Sequence, residues 1–242
     1  MPPASHQSTT PASTKPEASS KPEASIRGDT SRSPAEGGWS QRHLGGAINM
    51  WHVLAAFACM AASFLMLRTD GVQTLRALVA NPVYFDSGNP LLFDQRRGGY
   101  TADVARDHLA ALGPAASSYY ADTYLALYDL MFPILLLAFG VLLILYATNA
   151  AHARVIDVTP GIQRLMLAVP VALFLFDMGE NISLFSMLEM APTVNAKLVE
   201  TASMFTQLKW LAGFIEGVLL LGLSVYLVHR HLEGSSAKQP GA

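Results

Sequence analysis

The stretch FDMGENISLF (residues 176–185) puts two acids and an amide, Asp177, Glu180 and Asn181, inside an otherwise apolar run. Its flanks, LMLAVPVALFL before it and SML after it, are greasy enough to make the whole segment a helix that crosses a bilayer. A helix needs about 20 residues to span about 30 Å of hydrocarbon at 1.5 Å per residue. Asp177 to Glu180 is an i, i+3 step and Asp177 to Asn181 an i, i+4 step, so all three share one helix face. Ionisable groups in a membrane turn towards the bundle interior and seek partners, because lipid cannot solvate them. This segment therefore predicts neighbouring helices that bring it a counter-charge.

Three further apolar segments supply them. The spans read as residues 47–67, 124–147, 165–187 and 208–228, within a transmembrane domain of residues 44–232 and followed by a short tail, 233–242. The expected fold is all-α: an up-and-down bundle of four transmembrane helices. A short external amphipathic helix, YTADVARDHLAALG, lies between spans one and two, with Thr101 to cap it, Gly113 to close it and Pro114 to stop it. His108 on that helix is expected to be solvated, and His52 in span one to be hydrogen-bonded in the interior or at the interface. Residues 1–43 are rich in Pro, Ser, Thr and Ala, repeat KPEAS twice, and read as a disordered tail, without a secretory signal or transit peptide.

Composition agrees with lipid as the partner: 51% of residues are hydrophobic and only 14% charged. A net charge of −2 with no dense Lys/Arg cluster argues against nucleic acid. The single cysteine, Cys59, removes disulfide frameworks and thiolate metal sites, and no pattern calls for a metal or a cofactor. With the N-terminus inside, nine Lys and Arg fall on the cytoplasmic side against six outside, which favours a multi-pass protein of the cell membrane with both termini cytoplasmic.

This threading gives the polar residues a common depth. Asp129 comes at the outer end of span two, Asp177, Glu180 and Asn181 in the outer half of span three, and Lys209 near the outer end of span four. Glu216, two turns further along span four, is expected level with Asp177. Lys209 is the one obvious counter-ion in the spans, with Arg68 a second candidate. One lysine does not balance four acids, so part of the cluster is expected to hold a proton, a bound cation or water. Pro133 frees the carbonyl of Asp129, which either adds an oxygen beside that carboxylate or merely bends the span near its end. Gly213 and Gly217 form a GxxxG pair that predicts close helix packing, and Trp51 and Trp210 are placed as interfacial anchors.

The succession of YDLMFP, DMGEN and TQLKW resembles a family of small bacterial four-helix integral membrane proteins, over residues 100–221. The resemblance implies that Asp129, Phe132, Pro133, Asp177, Glu180, Asn181, Thr206, Lys209 and Trp210 are its marked positions, and it names no reaction. A tyrosine expected three residues after the Phe-Pro pair is Leu136 here.

Three readings stay open. The cluster handles a proton, a cation or a small solute; or it is a buried network that only fixes helix packing; or it serves an intramembrane enzyme acting on a lipid or isoprenoid, with one carboxyl as acid and another as base. Of these the enzyme is the least favoured. A purely structural network should be dry and fully paired, whereas a binding site needs a cavity with polar groups left over.

Overall fold

The computed structural model describes residues 48–152 and 158–236, so the expected tail at residues 1–43 and the end of the chain beyond residue 236 lie outside the described residues. The fold is all-helical, and four helices are long and apolar enough to cross a membrane.

Helix α1 (Met50–Met66) starts at Asn49, whose side chain accepts from the N–H groups of Trp51 and His52, while the His52 ring accepts from the Asn49 N–H. His52 is thus a capping residue. The helix does not end near residue 67. It widens into a π-helical stretch (Leu67–Gly71) and continues as α2 (Val72–Leu78). Two short pieces follow, α3 (Pro82–Asp86) and a 3-10 turn (Phe93–Gln95).

Helix α4 (Ala102–Tyr119) begins at the expected cap, Thr101, whose hydroxyl accepts from the Val104 N–H. Gly113 breaks it with a φ of 73°, but Pro114 then restarts the helix rather than stopping it. The carbonyls of Ala111 and Leu112 freed at this break accept from the N–H groups of Asn81 and Ala80. A side chain at Gly113 would run into the Ala80 Cβ at 2.6 Å, so this position requires glycine for space as well as for its φ. The chain then passes through a second π-helical stretch (Tyr120–Asp129) into α5 (Leu130–His152). The predicted loop helix and span two are therefore joined through an unbroken helical run from Pro114 onward.

Helix α6 (Pro160–Glu189) has Thr159 as cap and proline in its first turn, and α7 (Ala196–Ser236) opens with the N–H groups of Lys197 and Leu198 on the Asn195 side chain. Every span is thus longer than its apolar stretch alone indicates. Helices α6 and α7 pack most extensively, α5 packs against both, and α1 packs on α5.

Burial divides the molecule into two parts. Leu75, Phe85, Leu92, Phe93, Leu109, Leu112, Tyr120 and Tyr124 form a conventional core with Met187 and Val199 at one end of the bundle, called here the cap end. Beyond it the helices turn Leu165, Leu175, Leu211, Phe214, Val218 and Val225 outward, as an apolar solvent would favour. Close approach inside the bundle comes at Gly179, packed against Phe205, and at Gly140, packed against Pro170 and Glu216. It does not come at the expected GxxxG pair: Gly213 has only Leu173 near it, at 3.8 Å, and Gly217 faces open space.

Candidate functional site

Lys209 projects from α7 into a shell of carboxylates contributed by α6 and by the 3-10 turn. Its Nζ is 2.9 Å from Asp177 and in ion-pair contact with Glu180, both on α6, and 3.9 Å from Asp94 of the 3-10 turn. One turn earlier on α7, the Thr206 hydroxyl donates to Glu180 at 2.5 Å. Asn181 donates its side-chain amide to Asp177 at 3.3 Å. Glu180 is fully buried, and Lys209 retains only 13% of its side-chain exposure. Of the expected cluster, Asp177, Glu180, Asn181 and Lys209 are thus together, and the supporting Thr206 joins them.

The cap end closes over this group. The Tyr100 N–H donates to Ser203 of α7 at 2.8 Å, and the Trp210 indole N–H donates to the Asp94 carbonyl at 2.7 Å. Arg97 lies over the Trp210 ring, 4.2 Å from its centroid. Trp210 is thus more than an interfacial anchor, because it ties the 3-10 turn to α7 and so fixes Asp94 beside Lys209. The Tyr100 phenol faces the same group; burial, and after it the Glu180 carboxylate, push it above its ordinary value.

Asp129 occupies a different position. It is 7% exposed, yet among the described residues no hydrogen bond or ion pair ends on its carboxylate. It opens instead on a cavity of about 620 Å³ whose polar lining includes Asp94, Asp177, Lys209, Arg68 and Arg97. Tyr124, Phe132, Phe64 and Trp210 provide aromatic walls, and Pro133 lies beside them. Both π-helical stretches border this cavity, through Leu67 and Arg68 on one and Tyr124 and Asp129 on the other. Such wide turns recur where a helix is reshaped around a site.

Two expected members stand elsewhere. Arg68 is at the exposed rim, its guanidinium 6.0 Å from the Phe64 ring, and pairs with no carboxylate among the described residues. Glu216 is not level with Asp177. Lys209 is, while Glu216 sits two turns deeper against Gly140 and Pro170. The expected level was counted from the apolar edges of the spans, and α6 and α7 extend past those edges at the cap end.

His108 departs from its solvated reading. It is fully buried, its Nε2 is 3.1 Å from the Leu91 carbonyl, its Nδ1 is 3.4 Å from Arg96, and its ring stacks 4.1 Å from that of Phe93. It builds the cap core and has no contact with the Lys209 group. Sequence reasoning also missed Asp94, Arg97 and Tyr100. The available signal was the apolar triplet Leu91, Leu92, Phe93 just before Asp94, which marks a segment that packs inward. Among the described residues no group of three or more His, Cys, Asp or Glu side chains is arranged to hold a metal ion. Comparison with protein-family models, with curated proteins and with solved structures finds no match to this chain.

Proposed function

We propose that this is a multi-pass cell-membrane protein, its termini cytoplasmic, that binds a small amine-bearing solute in the cavity beside Asp129. One observation carries the reading: Asp129 is a buried carboxylate that takes no hydrogen bond or ion pair among the described residues, and it faces a cavity large enough for a small organic molecule. Lys209 is already engaged with Asp177 and Glu180, so Asp129 is the acid left over for an incoming cation. The aromatic walls suit an organic ammonium, whose charge is attracted by ring faces and whose carbon skeleton is covered by the apolar lining. A metal cation asks for several oxygen ligands in one shell, and among the described residues no such set is present.

The Lys209 group is then the frame of the site. It joins α6, α7 and the 3-10 turn and holds the cavity wall in place, and the kinship with small bacterial four-helix membrane proteins is proposed with it. The test is binding of a panel of primary and quaternary organic amines to the full chain in lipid nanodiscs, by calorimetry. Asp129→Asn should weaken the best ligand by about 30-fold or more, since losing one partner of a buried charge pair costs roughly 2 kcal/mol at least. Equal affinity in the variant, or tighter binding of neutral isosteres than of amines, would sink the proposal.

A further inference from the structure

Glu216 stands apart from the Lys209 group. It is 2% exposed, and among the described residues neither of its carboxylate oxygens has a hydrogen-bond partner. Its surroundings are carbon: a Cβ at Gly140 would lie 2.7 Å from Oε1 and 3.2 Å from the Pro170 Cβ, so the carboxyl fills the space that glycine leaves between three helices. Among the described residues the helix segments around it carry no charged neighbour. Helix α5 has no Asp, Glu, Lys or Arg along its length; α6 has none between Arg164 and Asp177; and α1, which packs on α5, offers only His52 and Cys59 as titratable groups. On α7 itself Lys209 lies two turns away and is committed to Asp177 and Glu180.

The cavity ends immediately above this residue. Its deepest lining residues are Leu136 on α5, Leu173 on α6 and Gly213 on α7. Gly140 lies four residues after Leu136, Pro170 three residues before Leu173 on the antiparallel α6, and Glu216 three residues after Gly213, so on all three helices the Glu216 layer is the next turn inward, about 5 Å further at 1.5 Å per residue. At the other end the cavity reaches exposed Arg68 and Arg97.

We propose that Glu216 is a proton-binding site, loaded and unloaded through the cavity. An unpaired carboxylate in carbon surroundings is held far more readily as the neutral acid. A proton is the one cation that a lone carboxyl accommodates without further ligands, and the layer offers no second side-chain oxygen for a metal ion. In the binding step a proton leaves hydronium at the inner tip of the cavity and forms an O–H bond with the carboxylate, and in the release step that bond breaks towards water again. The site is distinct from the Asp129 solute site and does not require that solute to bind.

Infrared difference spectroscopy of the full chain in lipid bilayers, stepped between neutral and alkaline pH in H2O and D2O, tests this directly. A protonated-carboxyl C=O band that shifts in D2O is expected, lost in Glu216→Gln and retained in Asp129→Asn. Gly140→Ala, which presses on the carboxyl oxygen, should move the band in frequency without removing it. An unchanged spectrum in Glu216→Gln, or a band indifferent to D2O, would overturn the proposal. Should Glu216→Gln fail to fold, 13C-glutamate labelling of the parent and of Gly140→Ala decides it: a carboxyl band that neither the label nor the alanine moves also overturns it.

Discussion

Lys209 and Glu216 lie seven residues apart on the same helix and on nearly the same face, yet they meet opposite circumstances. Lys209 has three carboxylates around it, and the acids it touches have their own partners in Thr206 and Asn181. Glu216 has Gly140 and Pro170 nearby and, among the described residues, no hydrogen-bond partner. The first arrangement pairs charges across helices and so fixes how α6, α7 and the cap fit together, although Asp94 Oδ1 and Asn181 Oδ1 have no hydrogen-bond partner among the described residues. The second leaves a group whose comfort depends on a proton. Polar residues at similar hydropathy therefore do unlike things, and what separates them is whether the cap reaches their depth.

That contrast can be broken most forcefully at Lys209. Lys209→Met leaves buried acids without their cation and should destabilise the protein by about 3–5 kcal/mol, measured by unfolding in mixed micelles. Replacing Asp177, Glu180 and Lys209 together by apolar residues of similar volume should recover most of that loss. If the single change is tolerated, the network is not what registers the helices. Thr206→Val should cost less, about 1–3 kcal/mol, because it removes a single hydroxyl donor from buried Glu180. Trp210→Phe removes the bond to the Asp94 carbonyl and weakens the contact with Arg97, for about 1 kcal/mol in the same unfolding assay. It should also raise the hydrogen exchange of residues 93–97 without touching α6. The smallest effect belongs to Glu216→Gln, which exchanges one neutral group for another of like shape and should shift the unfolding midpoint less than Trp210→Phe does.

The bundle and half of its polar centre were legible because two simple periodicities apply there. Asp177, Glu180 and Asn181 had to share a face, and antiparallel threading brought Thr206 and Lys209 alongside them. Hydropathy, however, marks where a helix stops being apolar, which is not where it stops. The helices continue past residues 67 and 187 and begin well before 124 and 208 because the cap core covers them, and that cover comes from residues remote in sequence. The same remoteness hid Asp94, which reaches Lys209 only because Trp210 holds its backbone, and hid the burial of His108 under Phe85 and Phe93. The two π-helical stretches gave no sequence signal, since a wide turn asks for no particular residue.

From Pro114 to His152 the chain is helical without interruption, while the break at Gly113 is clamped by Ala80 and Asn81. One rod thus has its upper end gripped in the cap and carries Asp129 on its shaft. Inserting a single residue between positions 115 and 119 would rotate everything below by about 100°, swinging Asp129 away from the cavity while leaving the membrane-crossing length intact. Any torque applied to the cap is, by the same mechanics, felt at the carboxylate.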